Sequence, residues 1–188
     1  MQALNSLKDT IFNIANDADF ERAALSVFYA QAEQNEIYSS YIKSLGVDVK
    51  NVTAITDIPF LPISFFKSHN VVTGHFTPEA TFTSSGTTGA TNSKHFVKNT
   101  SIYSKSFTRG FQHFYGSPQN FCILALLPSY LERSGSSLVF MADDFITKSA
   151  QPQSGFYLDN HDALIAQLKE LAKRETPTLL LGVSFALL

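Results

Sequence analysis

The 188-residue chain has a single cysteine, Cys122, so it can form no internal disulfide. No Cys/His group has zinc spacing. His69, His75, His95, His113 and His161 show no metal-ligand pattern and read as surface or hydrogen-bonding residues. Charge is scarce: 16% of residues are charged, against a usual share of roughly 25%. Fourteen basic residues face sixteen acidic ones, with no Lys/Arg run. That balance excludes a sequence-independent grip on nucleic acid. The longest apolar run, Leu179 to Leu188, falls well short of the roughly 20 residues of a spanning helix. Met1 to Asp9 carries no basic stretch leading into an apolar one, so nothing points to secretion. The expectation is a soluble cytoplasmic protein with no membrane or nucleic-acid partner.

The chain does have apolar material, and 44% of it is hydrophobic. Seventeen Phe and no Trp predict a phenyl-rich interior and room for an apolar substrate. The length is about one domain's worth. Leu4, Leu7, Ile11 and Ile14 recur at helical spacing. Asp17 or Asp19 is placed to cap a second helix carrying Phe20, Ala24, Val27 and Phe28. Asn35 opens a third, with Tyr38, Tyr41, Ile42 and Leu45 on one face and Gly46 as its stop. All three stripes read as core packing. The two prolines of Ile58-Pro59-Phe60-Leu61-Pro62-Ile63-Ser64-Phe65-Phe66-Lys67 forbid a helix interior or a central strand, so that segment is expected to be extended or a short turn. Val71-Val72, Ala80 to Thr83 and His95 to Val97 are β-like.

Further on, Ser101 to Phe114, Ser136 to Phe145 and a segment capped by Asp159 or Asn160 read as helices. Phe121 to Leu127 and Thr178 to Val183 read as buried strands. Alternating helices and buried strands predict α/β layering on a largely parallel sheet. The division expected is a helical N-terminal segment over 1–50 and a partial α/β domain over 51–188. The chain stops at what reads as a first helical turn after a strand, and is expected to be truncated at its C-terminus. Cys122, within the first buried strand, reads as a small hydrophobe. Asp143-Asp144 reads as a solvated helix face.

The segment richest in chemistry is Thr83-Ser84-Ser85-Gly86-Thr87-Thr88-Gly89, built of Ser, Thr and Gly between apolar stretches. Glycine permits tight turns and close ligand approach. Successive backbone N–H groups can converge into an anion-binding concavity. No Walker spacing fits, since Thr91 and Asn92-Ser93 stand where the second Gly and the Lys-Ser/Thr belong. No dinucleotide glycine pattern occurs either.

The order aromatic-Thr-Ser-Gly-Thr-Thr-Gly, with one extra Ser, resembles the phosphate loop of adenylate-forming enzymes. The Pro-Phe-Leu-Pro segment, Leu126-Leu127-Pro128-Ser129-Tyr130-Leu131-Glu132-Arg133 and Ser136-Ser137-Leu138-Val139 are similar to the acyl-protein synthetase family within that superfamily. The family includes the fatty-acid ligase component of bacterial luminescence. The resemblance implies the N-terminal α/β domain of such an enzyme, incomplete here. It implies ATP and Mg2+ as cofactors, a fatty or other carboxylic acid as substrate, and a thiol or protein as acyl acceptor. Ser84, Ser85, Gly86, Thr87, Thr88 and Gly89 would hold the β- and γ-phosphates, and Tyr130 would line the acyl and nucleotide pocket. The catalytic residues and those for adenine, ribose and metal are expected beyond Leu188. Where many such loops continue Pro-Lys-Gly, this chain has Thr91-Asn92-Ser93, with Lys94 two positions later than the usual lysine.

Two other readings compete. A non-catalytic binding or assembly module could keep the fold without the chemistry. Gly182-Val183-Ser184-Phe185-Ala186 is close to a hydrolase nucleophile elbow, but too few residues follow Ser184 to complete a triad.

Overall fold

Asn35 ends one helix and begins the next. Its backbone N–H donates to Gln31 O, while its side chain accepts from Tyr38 N at 3.1 Å. Groups that would be orphaned at a helix junction are thereby satisfied inside the protein, where Asn35 is 3% exposed. The computed structural model describes residues 7–84, 92–127 and 135–187. It divides into two units, residues 1–99 and 100–188. Among the described residues helix outweighs strand, 53% to 12%, and the strands lie in small sheets behind a helical start, so the α/β class is as the sequence predicts.

In the first unit, residues 7–10 are helical and the helix then stops, short of the expected Ile14. Asn13 Nδ2 donates to Asp9 O, the carbonyl that a continuing helix would give to the Asn13 amide. Helix α1, Asp17–Gln34, is capped by Asn16 rather than by either aspartate. Asn16 accepts from Asp19 N at 2.9 Å. Both acids therefore sit inside the first turn, where the helix dipole favours negative charge. Helix α2, Glu36–Ser44, ends at Gly46 with φ +69. Gly46 N donates to Lys43 O and Val47 N to Ile42 O, the paired bonds of a Schellman stop.

Phe28, Ala32, Tyr38, Ile42 and Val52 form this unit's core, with Ile58 and Leu61 packed against it. The proline segment stays irregular over residues 58–64, as predicted, and side chains hold it, but past Pro62 the expected extended chain instead closes a helical turn, since no proline blocks it there. Tyr38 Oη donates to Pro59 O at 2.7 Å, and Tyr29 Oη donates to Val52 O at 2.6 Å. Short helix α3, Phe65–Ser68, follows. Val71 and Val72 lie in no strand. The chain there is tied instead to the end of α1, through Gly74 N donating to Gln34 O. Strands β1, Ala80–Thr83, and β2, Lys94–Val97, form an antiparallel pair in the register Ala80↔Val97 to Thr83↔Lys94.

The second unit is built on β3, Cys122–Leu126, none of whose side chains reaches solvent appreciably. It pairs in parallel with β4, Gly155–Phe156, and with β5, Thr178–Gly182, in the order β4-β3-β5. Side chains alternate between faces. Cys122, Leu124 and Leu126 meet Leu164 and Leu171 of α6, His161–Lys173. Ile123 packs with Phe111 of α4, Thr100–Tyr115, and Phe145 of α5, Ser137–Lys148. Ala125 and Leu127 pack with Ala142 of α5. Helix layers on both faces explain why the strand reads as a continuous apolar run. Ser136 caps α5 and Asn160 caps α6. β4 went unread because two residues show no periodicity.

Asn35→Ala keeps the backbone bond to Gln31 O but removes the side-chain cap of α2 and leaves the Tyr38 amide without its acceptor. Urea unfolding should show a loss of about 1–2 kcal/mol. A loss below about 0.3 kcal/mol would mean that the junction does not depend on this side chain.

Candidate functional site

The Ser/Gly/Thr stretch leaves the end of β1 and returns at the start of β2. At its neck, Ser84 N donates to Ser93 O at 3.1 Å, and Ser93 N donates to Ser84 Oγ at 3.0 Å. Ser84 thus carries a structural bond in which its hydroxyl oxygen accepts. Ser93, which sequence reading treated only as a departure from a pattern, closes the neck from the other side. A polar residue at each end of a Gly-rich stretch is the signal that marks such a closure. Ser85, Gly86, Thr87, Thr88, Gly89 and Tyr130 lie outside the described residues.

Lys94 faces Thr83 across the last pair of the hairpin, and both are exposed. Lys94 joins no ion pair among the described residues. Below it, α3 packs against β2. Phe65 of α3 meets Tyr41 edge-on at 5.7 Å between ring centres and stacks on His69 at 5.2 Å. The Pro-Phe-Leu-Pro segment therefore runs from the helical core straight into the support of the hairpin, with Leu61 four residues before Phe65.

The remaining flagged residues fall elsewhere. Cys122 is fully buried, and burial pushes its thiol up, offset in part by the hydrogen bond from Ser154. A thiol kept neutral in this way is a packing residue and not a nucleophile. Tyr157 is likewise raised, by burial first and then by Cys122. Asp143 is exposed, and Asp144 pairs with Lys148. No group of His, Cys, Asp or Glu among the described residues could hold a metal ion. No helix of the described residues is long and apolar enough to cross a membrane. Ser184 opens a short helix, α7, Ser184–Leu187, with ordinary helical backbone rather than the strained turn of a nucleophile elbow.

The acyl-protein synthetase family, LuxE, matches residues 13–141. The chain belongs to that family. The span matched takes in α1, α2, the proline segment, α3, the hairpin with its loop, α4, β3 and the start of α5, and with them the Pro-Phe-Leu-Pro, Ser/Gly/Thr, Leu-Leu-Pro-Ser-Tyr and Ser-Ser-Leu-Val segments, while residues beyond 141 lie outside it. No curated protein and no solved structure matches the chain.

The buried thiol of this acyl-protein synthetase family member gives a pH signature. A thiol held neutral when folded ionises first in the unfolded chain, at about 8.5. Its contribution is therefore complete below that pH and declines as pH rises. Wild type should lose about 1 kcal/mol relative to Cys122→Ala between pH 8 and 9.5, measured by urea unfolding. Native Cys122 should also resist a thiol reagent at pH 8 that labels the unfolded chain. Parallel pH curves for the two proteins, or rapid native labelling, would contradict the burial argument.

Proposed function

We propose that this chain serves an enzyme that activates a carboxylic acid with ATP as an acyl-adenylate and passes the acyl group to a thiol or protein acceptor. Membership of the acyl-protein synthetase family supports the acyl chemistry. The observation that carries the finer reading is the Ser/Gly/Thr loop held at its neck by the Ser84–Ser93 bonds, with the exposed Lys94 beside it. In this reading the chain supplies the phosphate-holding part of the adenylate-forming fold.

The chemistry sets what the loop must do. A carboxylate oxygen attacks the α-phosphorus of ATP. The bond from that phosphorus to the bridging oxygen breaks, and pyrophosphate leaves with the electron pair. The nucleophile then attacks the acyl carbonyl and AMP departs. Backbone N–H groups and the hydroxyls of Ser84, Ser85, Thr87 and Thr88 would bind the β- and γ-phosphates, with Gly86 and Gly89 permitting close approach. Donors fixed in advance favour charge building up on the departing pyrophosphate. Mg2+, when bound with ATP, would offset phosphate charge. No residue of this chain is assigned to it or to adenine. A substitution that preserves the fold but crowds the loop should therefore act on the first half-reaction.

The test is acid-dependent exchange of labelled pyrophosphate into ATP by the full-length protein. Exchange should appear with some acid of a fatty and aryl panel. Gly86→Val should lower it by on the order of a hundredfold or more, and Thr88→Ala should lower it by about tenfold or more, with unfolding midpoints unchanged. No exchange with any acid, or wild-type exchange in both variants, would overturn the reading. The departure at Thr91-Asn92-Ser93 favours one alternative, a module that binds without catalysis. ATP binding without exchange would support that alternative.

A further inference from the structure

Helix α1 and the proline segment, with Ile11, Ile14, Tyr38 and Ile55, line an open cleft of about 510 Å³ in the first unit. Of its thirteen lining residues, only Gln31 and Tyr38 carry a polar side-chain atom, and none is charged. The Tyr38 hydroxyl is already committed to Pro59 O. The expected core stripe of α1 is in fact split by this cleft. Phe28 is 3% exposed, whereas Phe20 is 53% exposed, and Phe60 across the cleft is 74% exposed. Apolar surface left open to water on this scale marks a binding site.

We infer that this cleft takes the hydrocarbon tail of the acid to be activated, and that its depth sets the chain length the enzyme accepts. The inference rests on the acyl-activating reading above. Three observations select the ligand. The lining offers no positive charge, so a carboxylate gains nothing inside and the acid enters tail first, its head remaining outside. A methylene occupies about the volume of a water, ~30 Å³, so the cleft of about 510 Å³ has room for a tail of up to about seventeen carbons. And the wall formed by Phe60 and Leu61 leads within four residues to α3, which packs on β2 at the base of the phosphate-loop hairpin. Leu61 and Phe65 are thus at most about 14 Å apart along the chain. A head group leaving the cleft on that side stays near the loop's support.

Displacement of a fluorescent polyene fatty acid from the full-length protein, without ATP, tests this with unbranched acids of six to eighteen carbons. Affinity should rise about fourfold for each added methylene until the cleft is full, and then level off. Val27→Phe, which narrows the cleft, should move the plateau to chains shorter by about two carbons, and Val27→Ala should move it to longer ones. Ala24→Trp should weaken a twelve-carbon acid at least tenfold, with circular dichroism unchanged. If Ala24→Trp fails to fold, the opposite shifts of the two Val27 variants still decide. No probe binding by wild type, for instance because a second copy covers the cleft, would overturn the inference, as would a plateau unmoved by both Val27 variants. The two proposals fail separately. Chain-length shifts without pyrophosphate exchange would sink the adenylation reading alone. Exchange whose acid preference ignores Val27 would sink the cleft alone.

Discussion

A strand with no exposed side chain must find backbone partners on both edges, because unpaired N–H and C=O groups in an apolar interior are costly. β3 meets that demand with β4 on one edge and β5 on the other. Its two faces then require separate covers, and α6 supplies one while α4 and α5 supply the other. Parallel pairing follows from that demand. The connection from β3 to β4 carries α5 and that from β4 to β5 carries α6, so two of the covering helices are the crossovers, while α4 precedes β3. Ser149 and Ser154 complete the arrangement, donating to Phe121 O and accepting from Ile123 N where β3 begins.

The first unit solves a different problem. It must hold a proline-bearing segment that cannot make a regular ladder. Tyrosine hydroxyls supply the missing organisation, reaching Val52 O and Pro59 O from the two helices. That arrangement fixes the segment against the core while leaving its Phe60 and the facing Phe20 in water. The same segment continues into α3 and so to the hairpin. Holding the segment, leaving an apolar cleft and supporting the loop are therefore consequences of one stretch of chain.

Local signals were legible where a single residue type satisfies a local need. Asn35, Gly46, Ser136 and Asn160 sit at the helix ends where sequence places them or offers them as one of two choices. The apolar run over 121–127 was legible as a buried strand because both its faces are covered. Helix capping by Asn16 was missed because two aspartates nearby offer the same chemistry. Asn13 was missed as a stop because its competition for Asp9 O depends on side-chain conformation. The family was legible from motifs alone. The cleft was not, since Phe20 and Val27 carry the same helical spacing as Phe28. Only the path of the distant Pro59–Leu61 segment decides which of them it covers.

The central claim is that the loop framed by Ser84 and Ser93 receives the phosphates of ATP. Residue-resolved hydrogen exchange of the full-length protein, with and without saturating ATP, Mg2+ and an accepted acid, tests it most directly. Amides across 84–93 should slow markedly on binding, while those of β3 and β5, already paired, should not change. Unchanged exchange across 84–93, with slowing elsewhere at a saturating nucleotide concentration, would contradict it.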